Sequence, residues 1–208
     1  TTFTNPRLMR GISFKRVTAN TGEFLQRTKK TIDAFAASHE PDRLDIFLSH
    51  SWRDSGYLKW LTLLWQQNFA FGFLLGHLAA AVTFLAIWIR PALYPFPGYM
   101  YGKSFGGPCT FVASSVFMLV IFLGHHITRV NPSLFLDKAC INQSSAELKA
   151  EGIRNLGAFL KNSDSMLVFW SRDYFDRLWC VYELSLFIKL KGTRDLVIMP
   201  LKHAALGL

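Results

Sequence analysis

Two long apolar stretches limit what this chain can fold into more than any other feature of its sequence. Residues 68–89 contain no Asp, Glu, Lys or Arg, and residues 109–130 contain only Arg129. Each stretch is long enough to cross a bilayer, because a transmembrane helix needs about 20 predominantly apolar residues. A chain of 208 residues has too little other material to cover two such helices in a soluble core. The sequence therefore predicts two membrane-spanning helices.

The segment that joins the two stretches, residues 90–108, is rich in proline, glycine and aromatic residues and is typical of an interfacial turn. We therefore predict an inserted transmembrane hairpin over residues 58–130. Four basic residues lie near the ends of the hairpin and two lie near its turn: Arg53, Lys59, Arg129 and Lys138 against Arg90 and Lys103. By the positive-inside rule we expect an integral membrane protein with two spans, whose remaining chain lies on the cytosolic, stromal or matrix side.

The rest of the chain alternates short apolar runs with helical patterns, which is typical of an α/β domain with a parallel sheet. Strands are predicted at residues 44–49, 132–136, 166–170 and 196–201, and helices at residues 145–161 and 178–190. The first two strands flank the hairpin. They can share one sheet only if the chain crosses the membrane an even number of times, and two spans satisfy this condition.

The regions outside the hairpin divide into two parts. Residues 1–43 are predicted to be a basic arm followed by an amphipathic helix at residues 21–38, whose apolar stripe packs on the domain or on a neighbouring protein. Lying on a membrane surface is the alternative for this helix. Residues 44–57 and 131–208 are predicted to form the α/β domain, with about four strands.

The composition limits the classes of partner and compartment. Half of the residues are hydrophobic, 18% are charged and the net charge is +9. The basic residues are spread along the chain rather than gathered in one block, so we do not expect nucleic-acid binding. The cysteines, Cys109, Cys140 and Cys180, have neither disulfide-like nor metal-ligand spacing, which favours a reducing compartment and no metal site.

Chemistry in an open parallel sheet takes place beyond the carboxyl ends of its strands. In this chain those ends carry Trp52, Arg53, Asp137 and Ser171. The apolar helix that follows the third predicted strand contains one acid, Glu183, within a turn or so of its start. An unpaired buried carboxylate is unfavourable, so this acid needs a partner or a function. Hydrogen bonds from the backbone at the strand ends, or a salt bridge to Arg177 or Arg53, would supply one.

Two stretches of sequence resemble the domains of the Toll/interleukin-1 receptor (TIR) family. The strand at residues 44–49 runs into His-Ser-Trp-Arg-Asp at residues 50–54, and Trp179, Cys180 and Glu183 match a Trp-Cys-x-x-Glu helix start. Residues 139–143, Ala-Cys-Ile-Asn-Gln, are similar to a sequence of heterokaryon-incompatibility domains. Together they resemble the divergent TIR-like proteins of protists and algae. The resemblance implies a flavodoxin-like parallel sheet, with the hairpin inserted between its first two strands.

The resemblance also implies two kinds of function. Some TIR domains cleave NAD at the glycosidic bond with the acid that Glu183 matches, and that role would make Glu183 catalytic. Trp52 would then supply a stacking surface and Arg53 a phosphate contact, with Asp137 and Ser171 completing an NAD site. Many other TIR domains act only as adaptors. A fold and one acid do not establish an enzyme, so we favour a protein-interaction role.

Two features of the hairpin point to further partners. His77 lies near the middle of the first span, where imidazole is uncommon and is a candidate ligand for haem or chlorophyll. His125 and His126 lie near the end of the second span, where an interhelical hydrogen bond or an interfacial position explains them. Gly72 and Gly76 give the first span a close-packing face for the second span or for another subunit.

These features predict a membrane-anchored TIR-like interaction module that serves as an accessory subunit of a larger photosynthetic or respiratory complex. Its expected partners are membrane lipid and other membrane-protein subunits, which it contacts through the face of Gly72 and Gly76 and through the N-terminal arm. A signalling adaptor is the first alternative. An NAD-cleaving hydrolase that uses Glu183 is the second.

Overall fold

A computed structural model describes residues 8–27, 34–90 and 106–202. The chain divides into two compact units, Thr1–Leu63 with Val130–Leu208 and Leu64–Arg129. The first unit contains a mixed five-stranded sheet with helices, and the second contains long stretches of two apolar helices. The predicted combination of an α/β domain with two long apolar helices is therefore confirmed.

The sheet contains four parallel strands and one antiparallel strand. Its strands are β1 (Ile12–Ser13), β2 (Leu44–Ser49), β3 (Ser133–Phe135), β4 (Ser163–Trp170) and β5 (Leu196–Pro200), in the spatial order β1-β3-β2-β4-β5. All four predicted strands exist, and β2 and β3, which flank the hairpin in sequence, are parallel neighbours. The prediction of about four parallel strands omitted β1, which pairs antiparallel to β3. A two-residue strand has no periodicity in sequence, and only its partner β3 makes it a strand.

The prediction of a helix at residues 21–38 was wrong. The structure has α1 at Phe14–Gly22 and a 3-10 turn at Glu23–Leu25, while residues 34–37 form a turn; residues 28–33 of the predicted helix lie outside the described residues. Gly22 has a φ of 74°, and a Cβ added there would lie 2.7 Å from Trp60. The apolar side chains of the predicted stripe, Phe24 and Leu25, are still buried. Packing against Trp60 and the sheet therefore outweighs the helical pattern.

The later helices follow the predictions with local differences. They are α4 (Asp137–Cys140), α5 (Ala146–Arg154), α6 (Leu156–Lys161) and α7 (Leu178–Lys191). The helix predicted at residues 145–161 is interrupted at Asn155, whose side-chain amide donates to the carbonyl of Glu151. Ser145 caps α5, because its hydroxyl accepts a hydrogen bond from the amide of Leu148.

Aromatic side chains fill the centre of the first unit. The rings of Phe47 and Phe135 stack with centroids 4.4 Å apart, and the ring of Phe159 lies 4.6 Å from that of Phe135. All three side chains are almost completely buried. This contact joins β2 and β3 to α6, so it fixes the part of the sheet that carries the candidate site.

The two long helices are α2 (Gly56–Ile89) and α3 (Gly106–Ile127). Both begin before the predicted spans, by three residues in α3 and by a wider margin in α2. Each is long and apolar enough to cross a membrane. Only 17% of the most apolar window of each helix is buried, whereas the core helix of a soluble protein would be mostly buried. The two helices are therefore candidate membrane spans. In α2 the uncharged residues 68–89 are long enough to cross a bilayer, which leaves Lys59 outside the spanning part.

The close-packing face of α2 meets α3 inside the second unit. A Cβ added at Gly76 would lie 3.0 Å from the carbonyl oxygen of Ala113, and one added at Gly72 would lie 3.2 Å from the ring of Phe117. The side-chain amide of Asn68 donates to the carbonyl of Ile121 at 2.9 Å. Of the two partners considered for the glycine face, the second span is the one that it contacts.

These contacts predict unequal effects of two alanine substitutions. We expect Gly76→Ala to lower the stability of the helix pair by about 1 kcal/mol, because its Cβ meets a backbone carbonyl that cannot move away. Gly72→Ala should change the stability much less, because the Phe117 side chain can rotate. Thermal unfolding of both variants in detergent micelles measures the difference. Equal effects would contradict the packing described here.

Candidate functional site

The carboxyl ends of the parallel strands bring several polar side chains into the first unit's interior. The register pairs Ser49, at the end of β2, with Val168 of β4, and it pairs Trp170 with Pro200 at the ends of β4 and β5. The residues that follow these strands therefore lie along one edge of the sheet. Such an edge is where α/β sheets bind ligands, so the candidate site is sought there.

Trp52 and Asp137 form the first part of this edge. The indole Nε1 of Trp52 donates to Oδ2 of Asp137 at 2.8 Å, and the backbone amide of Lys138 donates to Oδ1 at 2.6 Å. Burial raises the pKa of the Asp137 carboxyl, while these two hydrogen bonds oppose the rise. The contact positions the ring of Trp52 and ties the end of β2 to the end of β3.

Lys59 lies beneath the same ring. Its side chain is completely buried, and its ammonium lies 5.0 Å from the centroid of the Trp52 ring, within the range of a cation–π contact. Among the described residues, Nζ has no hydrogen-bond partner. Burial lowers the pKa of Lys59 to about 8, and the charges of Asp54 and Asp137 oppose this shift.

His50 is the other buried basic group at the end of β2. Burial lowers the pKa of its imidazole well below the ordinary value, and the positive charges of Lys59 and Arg177 lower it further. Its backbone carbonyl faces the thiol of Cys180 at 3.5 Å. A neutral, buried imidazole of this kind packs against Trp52, with ring centroids 4.5 Å apart.

Glu183 is held in a buried network of hydroxyl groups. Its Oε2 accepts a hydrogen bond from the Ser49 hydroxyl at 2.5 Å, and the Ser49 hydroxyl lies 2.8 Å from that of Tyr174. The hydroxyl of Tyr174 in turn faces the carbonyl of Cys180 at 3.3 Å. Glu183 is 4% exposed, and Ser49 and Tyr174 are buried as completely. The partner of the acid is thus a serine at a strand end.

Burial raises the pKa of Glu183 to about 8, although the hydrogen bond from Ser49 lowers it. At neutral pH the carboxyl group therefore holds a proton for most of the time. In this state it carries no negative charge with which to stabilise a developing cation. The geometry suits a structural hydrogen-bonding role that links β2 to α7.

The residues proposed for NAD lie in different places. Trp52 and Asp137 line a cavity of about 230 Å³, together with Gln26, Arg27, Lys138 and Gln143. Ser171 lines a second cavity of about 380 Å³, whereas Glu183 lines neither of these two. Arg53 is exposed and also lines neither. This arrangement does not fit one dinucleotide spread over all five residues, so we derive no reaction step through NAD.

His77 is an exposed residue of α2. Its Nδ1 is 2.9 Å from the carbonyl oxygen of Phe73, and its ring lies 4.0 Å from that of Phe73. The imidazole lines a groove of about 340 Å³ between α2 and α3, with Gly76, Ala113 and Phe117 among its neighbours. One imidazole nitrogen is left for a ligand, and the described residues contain no cluster of three or more metal-binding side chains. Ligation of haem or chlorophyll by His77 stays a prediction.

Three residues of the candidate site were not predicted from the sequence to belong to it. Ser49 and Tyr174 complete the Glu183 network, and Lys59 is the buried cation beside Trp52. The single acid in an apolar helix was the signal that a partner for Glu183 must exist. The identity of that partner depends on how β2 and α7 pack, which the sequence does not state.

Comparison of the chain with protein-family models, with curated proteins and with solved structures finds no match. The resemblance to TIR domains therefore rests on the motifs quoted above. The geometry of the described residues is the remaining basis for assigning a function.

Proposed function

We propose that this protein is a membrane-anchored, TIR-like interaction module that serves as an accessory subunit of a larger membrane complex. The observation that carries the proposal is an exposed apolar patch beside the candidate site. We call it the α7 patch, and it consists of Phe175, Leu178, Trp179 and Tyr182. The proposal includes a flavodoxin-like sheet with the hairpin inserted between β2 and β3.

The α7 patch is large for a helix that packs on a sheet. Leu178 is 86% exposed, Phe175 56%, Tyr182 50% and Trp179 36%. The buried side chains of α7 are Cys180, Glu183 and Phe187, so the helix uses one narrow face for the core. Aromatic residues at such a position are enriched in protein interfaces. Exposed apolar side chains of this composition, spaced at i, i+3, i+4 and i+7, favour a protein partner.

The sheet supports the proposed fold. Taken in chain order, the four parallel strands β2 to β5 occupy the spatial order second, first, third, fourth. This is the order at one side of a flavodoxin-like sheet. The chain leaves β2 into α2 and returns from α3 to β3, which agrees with a hairpin inserted between neighbouring strands.

The buried state of Glu183 favours an interaction role over NAD cleavage. The acid is protonated at neutral pH and hydrogen-bonded to Ser49, so this contact holds α7 against the end of β2.

The basic residues near the hairpin ends support a position of the α/β domain on the cytosolic, stromal or matrix side. Protease protection in sealed membranes tests that side.

The test is native-gel mass spectrometry of membranes solubilised in mild detergent, with tagged wild type and the Leu178→Ser variant. We expect the wild type to migrate with a large complex in a fixed ratio to its partners. We expect the variant to stay in the membrane but to lose most of that association, because Leu178 is the most exposed residue of the patch. The matched control is Leu148→Ser, which removes a leucine that is 43% exposed on α5.

Three results would contradict the proposal. One is a wild type that migrates alone in mild detergent, and another is equal loss of association in both leucine variants. The third is release of nicotinamide from NAD by the wild type that Glu183→Gln abolishes, which would favour the hydrolase. Recovery of partners in small and variable amounts would favour a signalling adaptor.

A further inference from the structure

A second cavity of about 380 Å³ lies at the carboxyl ends of β4 and β5, and Glu183 is not among its lining residues. The walls come from the segment after β2, the start of α2 and the ends of the two strands. The lining consists of Asp54, Ser55, Leu58, Trp170, Ser171, Arg172, Pro200, Leu201 and Lys202. Its volume is within the range of small-molecule sites, which are clefts of about 300–1,000 Å³.

Two polar atoms of this lining lack partners. Oδ2 of Asp54 and Oγ of Ser171 are shielded from solvent, and neither has a hydrogen-bond partner within residues 8–27, 34–90 and 106–202. The Asp54 carboxylate acts on the charge of Lys59 at longer range, but that does not satisfy Oδ2. Leaving a buried polar atom without a hydrogen bond carries a free-energy cost. A ligand that donates a hydrogen bond to Asp54 would remove this cost.

The remaining walls combine apolar surface with two cations. Leu58, Trp170 and Pro200 supply apolar contacts, and the indole of Trp170 is 44% exposed. Arg172 and Lys202 are exposed cations in the same lining. Guanidinium and ammonium groups bind carboxylates and phosphates through charge-assisted hydrogen bonds. The lining therefore offers an apolar wall, an acceptor and an anion-binding edge.

We propose that this cavity binds a small organic anion that has an apolar body and a hydrogen-bond donor. The donor bonds Asp54, the body packs on Trp170 and Leu58, and the anionic group lies between Arg172 and Lys202. Either a carboxylate or a phosphate can accept the charge-assisted hydrogen bonds from Arg172 and Lys202. The site goes beyond the proposed subunit role, because none of its lining residues belongs to the α7 patch.

Equilibrium dialysis of the full-length chain in detergent tests the proposal with three probes that share one body. The probes are para-hydroxyphenylacetate, para-hydroxyphenyl phosphate and the uncharged para-hydroxyphenylacetamide. We expect at least one anionic probe to bind and the amide to bind at least ~10-fold more weakly, because it lacks the charge-assisted contact. Binding of one anion alone identifies carboxylates or phosphates as the ligand class. Binding of both anionic probes supports a site that accepts organic anions of either class.

Variants locate the site. Arg172→Gln and Lys202→Gln should each weaken binding of the anionic probe by ~10-fold or more. Arg194→Gln removes an exposed cation at the opposite end of β5 and should leave binding unchanged. Thermal unfolding of each variant checks that the fold is retained. The proposal is overturned if no anionic probe binds, if the amide binds equally well, or if the three variants behave alike.

Discussion

Replacing Glu183 with glutamine should remove a pH-dependent loss of stability of ~4 kcal/mol between about pH 4.5 and pH 8. In the folded chain the pKa of Glu183 is about 8, whereas its ordinary value is 4.5. Between these two values the folded state keeps a proton that the unfolded state releases. The free energy of unfolding of the wild type therefore falls as the pH rises through this window. Glutamine does not titrate, so the variant lacks this contribution.

The measurement is chemical unfolding of wild type and Glu183→Gln in the same detergent at several values of pH. The two proteins should have similar stability near pH 5, because protonated glutamate and glutamine are both neutral and can both bond Ser49. The variant should be more stable at pH 8. Titration of His50 contributes to both curves, so it cancels in the difference, whereas the charge of Asp137 raises the pKa of Glu183 and is part of the difference. A difference that does not change with pH would show that Glu183 is ionised or solvated in the folded state.

Replacing Lys59 with methionine should stabilise the folded chain by ~2 kcal/mol at pH 7. The lysine is completely buried, and its pKa falls from 10.5 to about 8 because burial disfavours the charged form. Methionine has a similar length and no charge to desolvate. Below pH 8 the unfavourable burial of the ammonium is fully present in the wild type. Between about pH 8 and 10.5 the folded state loses its proton first, so the wild type regains stability and the difference shrinks.

Unfolding of Lys59→Met and Lys138→Met at pH 7 and pH 10 measures this effect. Lys138 is the matched control, since its ammonium also lies near the Trp52 ring, at 5.8 Å, but the residue is half-buried. The control should lose a little stability rather than gain any, because the ammonium of Lys138 donates a hydrogen bond to the carbonyl of Gln26 at 3.3 Å. Loss of stability in Lys59→Met would mean that the ammonium makes contacts that outweigh its desolvation. Lys59 would then be a structural cation of the site.

The strands predicted from apolar runs are all present in the folded chain. Met166, Leu167, Val168 and Phe169 of β4 are all buried, and a continuous apolar run of this kind has no other stable position than inside a sheet covered on both faces. The helix α7 begins at the predicted residue, Leu178, and ends one residue beyond the predicted end. The described parts of the segment at residues 21–38 differ from the predicted helix, because residues 23–25 form a 3-10 turn in which Phe24 and Leu25 are already buried.

The candidate site was likewise predicted only in part from the sequence. The sequence indicated that Glu183 required a partner, since a carboxylate in an apolar helix is unfavourable alone. It also offered Arg53 and Arg177 as partners, but the groups that hydrogen-bond the acid are the hydroxyl of Ser49 and the side chain of Trp179. Positions of side chains on separate elements depend on register and packing. Register and packing therefore decide which of several chemically suitable side chains contacts Glu183.

The sequence by itself determined the two long apolar helices, the four parallel strands and the presence of an acid that needs a partner. Local composition and periodicity suffice for these features, because burial of apolar side chains is set along each segment. Only the tertiary structure decided that β1 closes one side of the sheet, that Gly72 and Gly76 face α3, and that Lys59 lies buried under Trp52. These contacts join residues far apart in the chain, so their free energy depends on the assembled fold.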